Sequence, residues 1–169
     1  PLTIEFSPET LSIKGYHNSG TFGVMAQDAA PYPVPRTVKE ECTSLTMPAE
    51  TLLKGINNCL FATANDEVRL VMNGIYVDVK PESLTFAGTD GRKLVRNIMH
   101  NVKSGFEAGF ILPKKVASIL KAVLSKDAGN IEIKFDNDKA CIKAQDIVMH
   151  FSLIEGRYPN YNGVIPADN

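Results

Sequence analysis

Two stretches decide the fold: SLTMPAETLLKGINNCLF, residues 44–61, and GFILPKKVASILKAVLS, residues 109–125. Each runs from apolar, strand-like residues to a proline and then into apolar residues at helical spacing. Pro48 and Pro113 stand 65 residues apart. Proline suits the first helical turn, where its missing N–H would have no partner anyway, and the residue before it is held extended. Two helices are therefore expected to begin near these prolines, each inside a half-repeat of strand, helix and further strands.

The second half continues NIEIKFDNDKACIKAQDIVMHFSL, residues 130–153, whose alternation around FDNDKA predicts a hairpin followed by a third strand. The first thirty-odd residues resemble that tail. Ile4-Glu5-Phe6 precedes Ile131-Glu132-Ile133 by 127 positions, Ile13-Lys14 precedes Ile142-Lys143 by 129, and Tyr32-Pro33 precedes Tyr158-Pro159 by 126. The spacings point to a unit of about 127 residues built from two half-repeats. The chain is expected to be a fragment that starts inside one unit and contains all of the next. AAPYPVPRTV, residues 29–38, is the expected linker, because its three closely spaced prolines cannot join a sheet ladder and favour an extended connection.

A chain of 169 residues with 44% hydrophobic content can bury a good core without metals or disulfides. Its charges nearly cancel, to a formal net charge of -1, so nucleic-acid affinity has to come from local patches. No apolar run approaches a membrane span, and PLTIEFSPET lacks the pattern of a signal peptide, which predicts a soluble, cytoplasmic protein. Cys42, Cys59 and Cys141 are odd in number and widely spaced, as expected of reduced structural thiols; no metal site is predicted.

On the second helix, 100° per residue places Val116, Ile119, Leu120, Val123 and Leu124 on one side and Lys114, Ser118, Lys121 and Ser125 opposite. On the first, Leu52, Leu53, Ile56, Cys59 and Leu60 form the apolar side, with Thr51, Lys54 and Asn58 opposite. Gly55 weakens that helix and suggests a close helix contact. Between Phe110 and Lys126 there are four lysines and no acid, a local concentration of cations suited to phosphates.

FAGTDGRKL, residues 86–94, admits three readings. A phosphate loop would need a glycine-rich turn entering a helix, but here there are two glycines and a strand-like continuation. A catalytic Asp90, as in a small α+β phosphate-handling enzyme, would need a partner, and His17, His100 and His150 form no constellation with it. The remaining reading is an Asp-Gly turn between two strands, and such a turn can still be a surface that partners read.

Taken in order, VRLVMNGIYVDV (68–79), LTFAGTDGRKLVR (84–96), FILPKKVASIL (110–120) and LIEGRYPNYNGVIP (153–166) resemble the central domain of the bacterial DNA polymerase III β subunit family, the sliding clamps. The resemblance implies an α+β DNA-clamp fold, two helices packed on antiparallel sheets. It places the closing strands of an incomplete first domain, with the linker, at 1–38 and the central domain at 39–169. It implies a processivity factor, not an enzyme and without cofactor. A homodimeric ring would surround duplex DNA without reading its sequence, and polymerases, the clamp loader and repair polymerases would bind it through short peptides. The peptide pocket would use Met72, Thr89, Gly91, Arg92, Lys93, Leu94, Pro159 and Val164. Many relatives carry His-Arg where this chain has Arg92-Lys93, and some carry Arg at Gly163, differences that bear on peptide preference. Asp78 is expected to lie apart from this pocket. Lys54, Lys114, Lys115, Lys121 and Arg69 would face the DNA backbone. These 169 residues alone are expected to stay mainly monomeric, their leading strands frayed, misdocked or paired with another copy.

Overall fold

The computed structural model describes residues 3–18 and 20–166, so Leu2 of the expected first strand and residues 167–169 of the expected central domain lie outside the described residues. The chain divides into two compact units, Pro1–Pro35 and Arg36–Asn169.

The first unit is a three-stranded antiparallel sheet of β1 (Thr3–Ser7), β2 (Ser12–His17) and β3 (Gly20–Met25), in that order. Its strands pair with one another, which corrects the expectation of fraying. Cross-strand partners lie on the same face of a sheet. Ile4 pairs Gly15, Phe6 pairs Ile13, Ile13 pairs Val24 and Gly15 pairs Phe22, so one face is apolar up to His17, which pairs Gly20 at its end. Its five apolar side chains are 37% to 67% exposed. The internal repeat extends to register, since Phe6 opposite Ile13 matches Ile133 opposite Ile142.

In the second unit β4 (Thr43–Pro48) leads into α1 (Ala49–Cys59), followed by β5 (Gly74–Lys80), β6 (Ser83–Thr89) and β7 (Leu94–Met99). β8 (Ala108–Pro113) leads into α2 (Lys114–Val123), followed by β9 (Asn130–Phe135), β10 (Lys139–Ala144) and β11 (Ile147–Ser152). Each half is thus strand, helix and three strands. The sheets are exchanged between halves: their orders are β11-β10-β9-β4 and β7-β6-β5-β8, so each leading strand completes the sheet of the other half.

That exchange explains how the helices start. The helices begin, as expected, beside Pro48 and Pro113, which are themselves the last strand residues, both extended (φ −61°, ψ 139° and φ −60°, ψ 141°). Neither offers a side-chain cap. Instead the first helical N–H donates to the carbonyl just before the paired strand, Ala49 to Gly129 at 2.8 Å and Lys114 to Asn73 at 3.0 Å. The same device appears in both halves and satisfies one of the backbone donors a helix start leaves open.

A single core joins both helices and both sheets, with Phe86, Met47, Leu52, Ile56, Ile75, Leu112, Leu120, Ile131 and Ile133 among its fully buried side chains. The seam between α1 and β6 is especially tight. A Cβ on Gly55 would collide with the Phe86 ring, and one on Gly88 would lie 2.5 Å from the Cys59 carbonyl oxygen. Gly55 therefore admits a strand and not a second helix. Cys59 donates its thiol to the Phe86 carbonyl at 3.3 Å, and burial pushes that thiol up to about 12.

The helix faces differ from their sequence reading in two places. Thr51 is buried, within 3.4 Å of the Asn101 side-chain amide. On α2 the buried residues are Ala117 and Leu120, while Ile119 and Val123 are 40% and 45% exposed. Small Ala117 lets α2 settle along its own edge of the core, and the apolar arc is wider than the surface that covers it.

Candidate functional site

Residues 89–94 form the tip joining β6 and β7, with Thr89 opposite Leu94 in register. The turn is held internally. Asp90 accepts the N–H groups of Arg92 and Lys93 on one oxygen, each at 3.0 Å, and the Lys93 ammonium on the other. The lysine ammonium first, then these two amides, hold the Asp90 carboxyl well below its ordinary range. Thr89, itself buried, donates its hydroxyl to the Lys93 carbonyl at 2.7 Å and accepts the Gly91 N–H at 3.0 Å. Gly91 has φ +85°, a conformation that costs other residues. Three hydrogen bonds commit the Asp90 carboxylate to the turn, and with no base or metal ligand beside it among the described residues the phosphate-handling alternative finds no support.

Met72 sits in the 3₁₀ turn Leu70–Met72, its sulfur about 4.0 Å from the point where a Gly91 Cβ would stand. The Arg69 Nη1 lies 2.6 Å from the same point. Arg69 is fixed by Asp66, through Nε at 2.9 Å and Nη2 at 2.8 Å, so the structure places it beside the hairpin tip. Sequence reasoning had grouped it with the helix lysines. Asp66 also accepts the N–H groups of Val68 and Arg69, and these bonds lower its carboxyl.

The opposite side is the segment after β11, a strap that runs over the outward residues of β5 and β6. Ile154 donates its N–H to the Ile111 carbonyl at 3.2 Å. Tyr158 stacks on Tyr76 with ring centroids 5.0 Å apart and donates to the Ala87 carbonyl at 3.3 Å. Tyr161 donates to Asp78 at 2.7 Å, and Arg96 donates to the Asn162 side chain at 3.0 Å. Half-buried Leu94 packs against the cluster of Ala87, Ile111, Tyr158 and Tyr161. The tip, through Leu94, and the strap, through Tyr158 and Tyr161, thus share one apolar cluster. Pro159 is half-buried on the strap, and Val164 is 70% exposed at the end of the 3₁₀ turn Tyr161–Val164. A cavity of about 1280 Å³ opens on the other flank of the strap, lined by Tyr76, Asp78, Tyr158, Pro159 and Tyr161 but not by Met72, Thr89, Gly91 or Leu94.

Asp78 does not lie apart: it anchors the strap. Asp78, Tyr158, Tyr161, Asn162 and Arg96 were missed, although Tyr76, Asp78 and Lys80 alternate with buried Ile75, Val77 and Val79. That alternation marks an outward face with something on it.

On the helix side Lys54, Lys115 and Lys121 are exposed. Lys114 is half-buried and turns its ammonium to the Ala64 carbonyl at 3.5 Å. Among the described residues there is no group of three or more His, Cys, Asp or Glu placed to hold a metal, and no helix is long and apolar enough to cross a membrane.

Residues 46–160 match the family model of the DNA polymerase III beta subunit, central domain. The chain belongs to that family. The beta sliding clamp of Synechococcus elongatus is 26% identical over 164 residues, covering 94% of this chain and 42% of the relative. That of Rickettsia bellii is 32% identical over 152 residues, covering 88% and 40%. The chain therefore spans about two fifths of the length of these curated relatives. Among solved structures, the Streptococcus pneumoniae DNA polymerase III beta chain superposes with a TM-score of 0.90 at 23% identity, covering 99% of this chain and 44% of that one. The Bacillus subtilis sliding clamp gives 0.88 at 21%, covering 99% and 44%. The expected clamp fold is therefore the fold of this beta-subunit central domain, two helices on antiparallel sheets.

Proposed function

We propose that this chain is part of a ring-shaped sliding clamp, a processivity factor of the cytoplasm that surrounds duplex DNA and tethers polymerases, the clamp loader and repair polymerases. Membership of the beta-subunit central-domain family carries this reading. The chain acts as a tether and not as a catalyst. Lys54, Lys115 and Lys121 face the DNA backbone, with Lys114 and Arg69 as nearer-to-protein cations; backbone contacts suit a protein that slides, because they carry no sequence information. The ring is a homodimer of the longer protein, whereas residues 1–169 by themselves stay monomeric and bind DNA weakly.

Met72, Thr89, Gly91, Arg92, Lys93 and Leu94 form one wall of a pocket for short peptides, and Pro159 and Val164 form the other. The proposal is supported by the one apolar cluster that Leu94 of the tip shares with Tyr158 and Tyr161 of the strap. A terminal Leu or Phe of a peptide would shed apolar surface there, worth about 1.5 to 3 kcal/mol. Titrating a short synthetic peptide ending in Leu-Phe into the isotope-labelled chain should move NMR signals of residues 72, 89–94 and 159–164, with a dissociation constant on the order of millimolar. Leu94→Asp, which puts an unpaired carboxylate into the apolar wall, should abolish those shifts. Shifts confined to other residues would refute the pocket.

A further inference from the structure

Asp78 is a carboxylate on a strand whose alternate residues belong to the core, and its side chain is only 14% exposed. A buried charge is costly unless it is matched by strong partners. One oxygen takes the Tyr161 hydroxyl at 2.7 Å; the other lies 4.0 Å from the Lys80 ammonium, which is itself shared with Glu107 at 3.3 Å. The Tyr161 hydroxyl is pushed up to about 12, by burial first and then by Asp78, so it remains a donor at any working pH. Tyr161 opens the 3₁₀ turn that ends at Val164, and Pro159 stands two residues before it. The hydrogen bond thus joins the strap to β5 across 83 residues of sequence, between two residues of the opposite wall.

We propose that Asp78 is a positioning residue of the peptide pocket: through Tyr161 it holds the wall of Pro159 and Val164 at the separation from Leu94 that a bound side chain requires. This rests on the pocket reading given above. Tyr158 supplies bulk on the strap by stacking on Tyr76, but a stack tolerates sliding, whereas a charge-assisted hydrogen bond fixes distance and direction. Arg96 and Asn162 make a second tie, which is exposed and therefore weak.

The test uses the whole chain and the same Leu-Phe peptide. Tyr161→Phe and Asp78→Ala should each weaken binding about three- to tenfold, the range that one net hydrogen bond covers. The double variant should be no weaker than the worse single one, since both remove the same bond. Asp78→Asn keeps an acceptor oxygen and should recover affinity to within about twofold of the parent. In the free protein the Val164 methyl signals should shift in Tyr161→Phe. If Asp78→Ala does not fold, Tyr161→Phe decides, because it deletes a single oxygen. A lower melting temperature with unchanged affinity, or losses that multiply in the double variant, would overturn the assignment. Peptide shifts away from both walls in the parent would overturn the pocket and this role with it; shifts at both walls with no loss in Tyr161→Phe would overturn this role alone.

Discussion

Asp90 shows how a residue that invites a catalytic reading is spent on shape. Its carboxylate caps two amides and an ammonium within four residues, and its pKa is held down as a result. A carboxyl with a depressed folded value contributes stability that is present above its unfolded value, about 3.9, and is lost as pH falls through the folded one. The tip should therefore stay closed at pH 4 and open only in stronger acid. Following the Asp90 carboxyl carbon and the Lys93 amide by NMR during acid titration checks this; a midpoint at the ordinary Asp value would contradict it. The Asp-Gly turn was legible from sequence because its chemistry is local. Arg69 was not, because its place beside Gly91 depends on Asp66 turning the guanidinium, and no spacing rule carries that information. Asp78 was misread for the same reason, since its partner lies far along the chain.

At the level of elements, the two helices were readable from proline and apolar periodicity, and their order of strands from alternation. The depth of packing was not. Gly55 carries a helix-weakening signal, but only the Phe86 ring above it explains why the site tolerates nothing larger. Gly55→Ala would gain about 1 kcal/mol of helix propensity, yet the added methyl must displace a fully buried ring, and overpacking costs about 1 to 3 kcal/mol. A net loss of stability in urea unfolding is expected, partly restored by Phe86→Leu. A stabilised Gly55→Ala protein would mean that α1 can lift from β6 freely. Ile119 and Val123 teach the converse: an apolar arc on a helical wheel states what can be buried, and the neighbouring sheet decides how much of it is.

For the molecule as a whole, the repeat visible in sequence as two prolines 65 positions apart proves to be an interlocked one. Sequence spacing predicts two half-repeats of strand, helix and further strands; the pairing of β4 with β9 and of β8 with β5 makes neither half complete without the other. Leu45 finds Ile133 across 88 residues, so the core closes only after long-range pairing. A chain divided within residues 101–105 should give two pieces in which the residues from 36 onward are disordered when alone and fold together in a one-to-one mixture, as read from amide-proton dispersion. Folding of those residues in either piece by itself would contradict the interlock.

The exchange of leading strands has a bearing on ancestry. A lone half, obeying the same register, would leave its own sheet one strand short while its first strand sought an edge elsewhere. Two identical halves would satisfy each other by swapping that strand, which is how domain-swapped dimers close. Fusing them end to end turns a concentration-dependent encounter into one between tethered neighbours at roughly millimolar effective concentration. The duplicated gene would then be free to let its two copies diverge, one toward the tip that carries Leu94 and the other toward the strap that faces it.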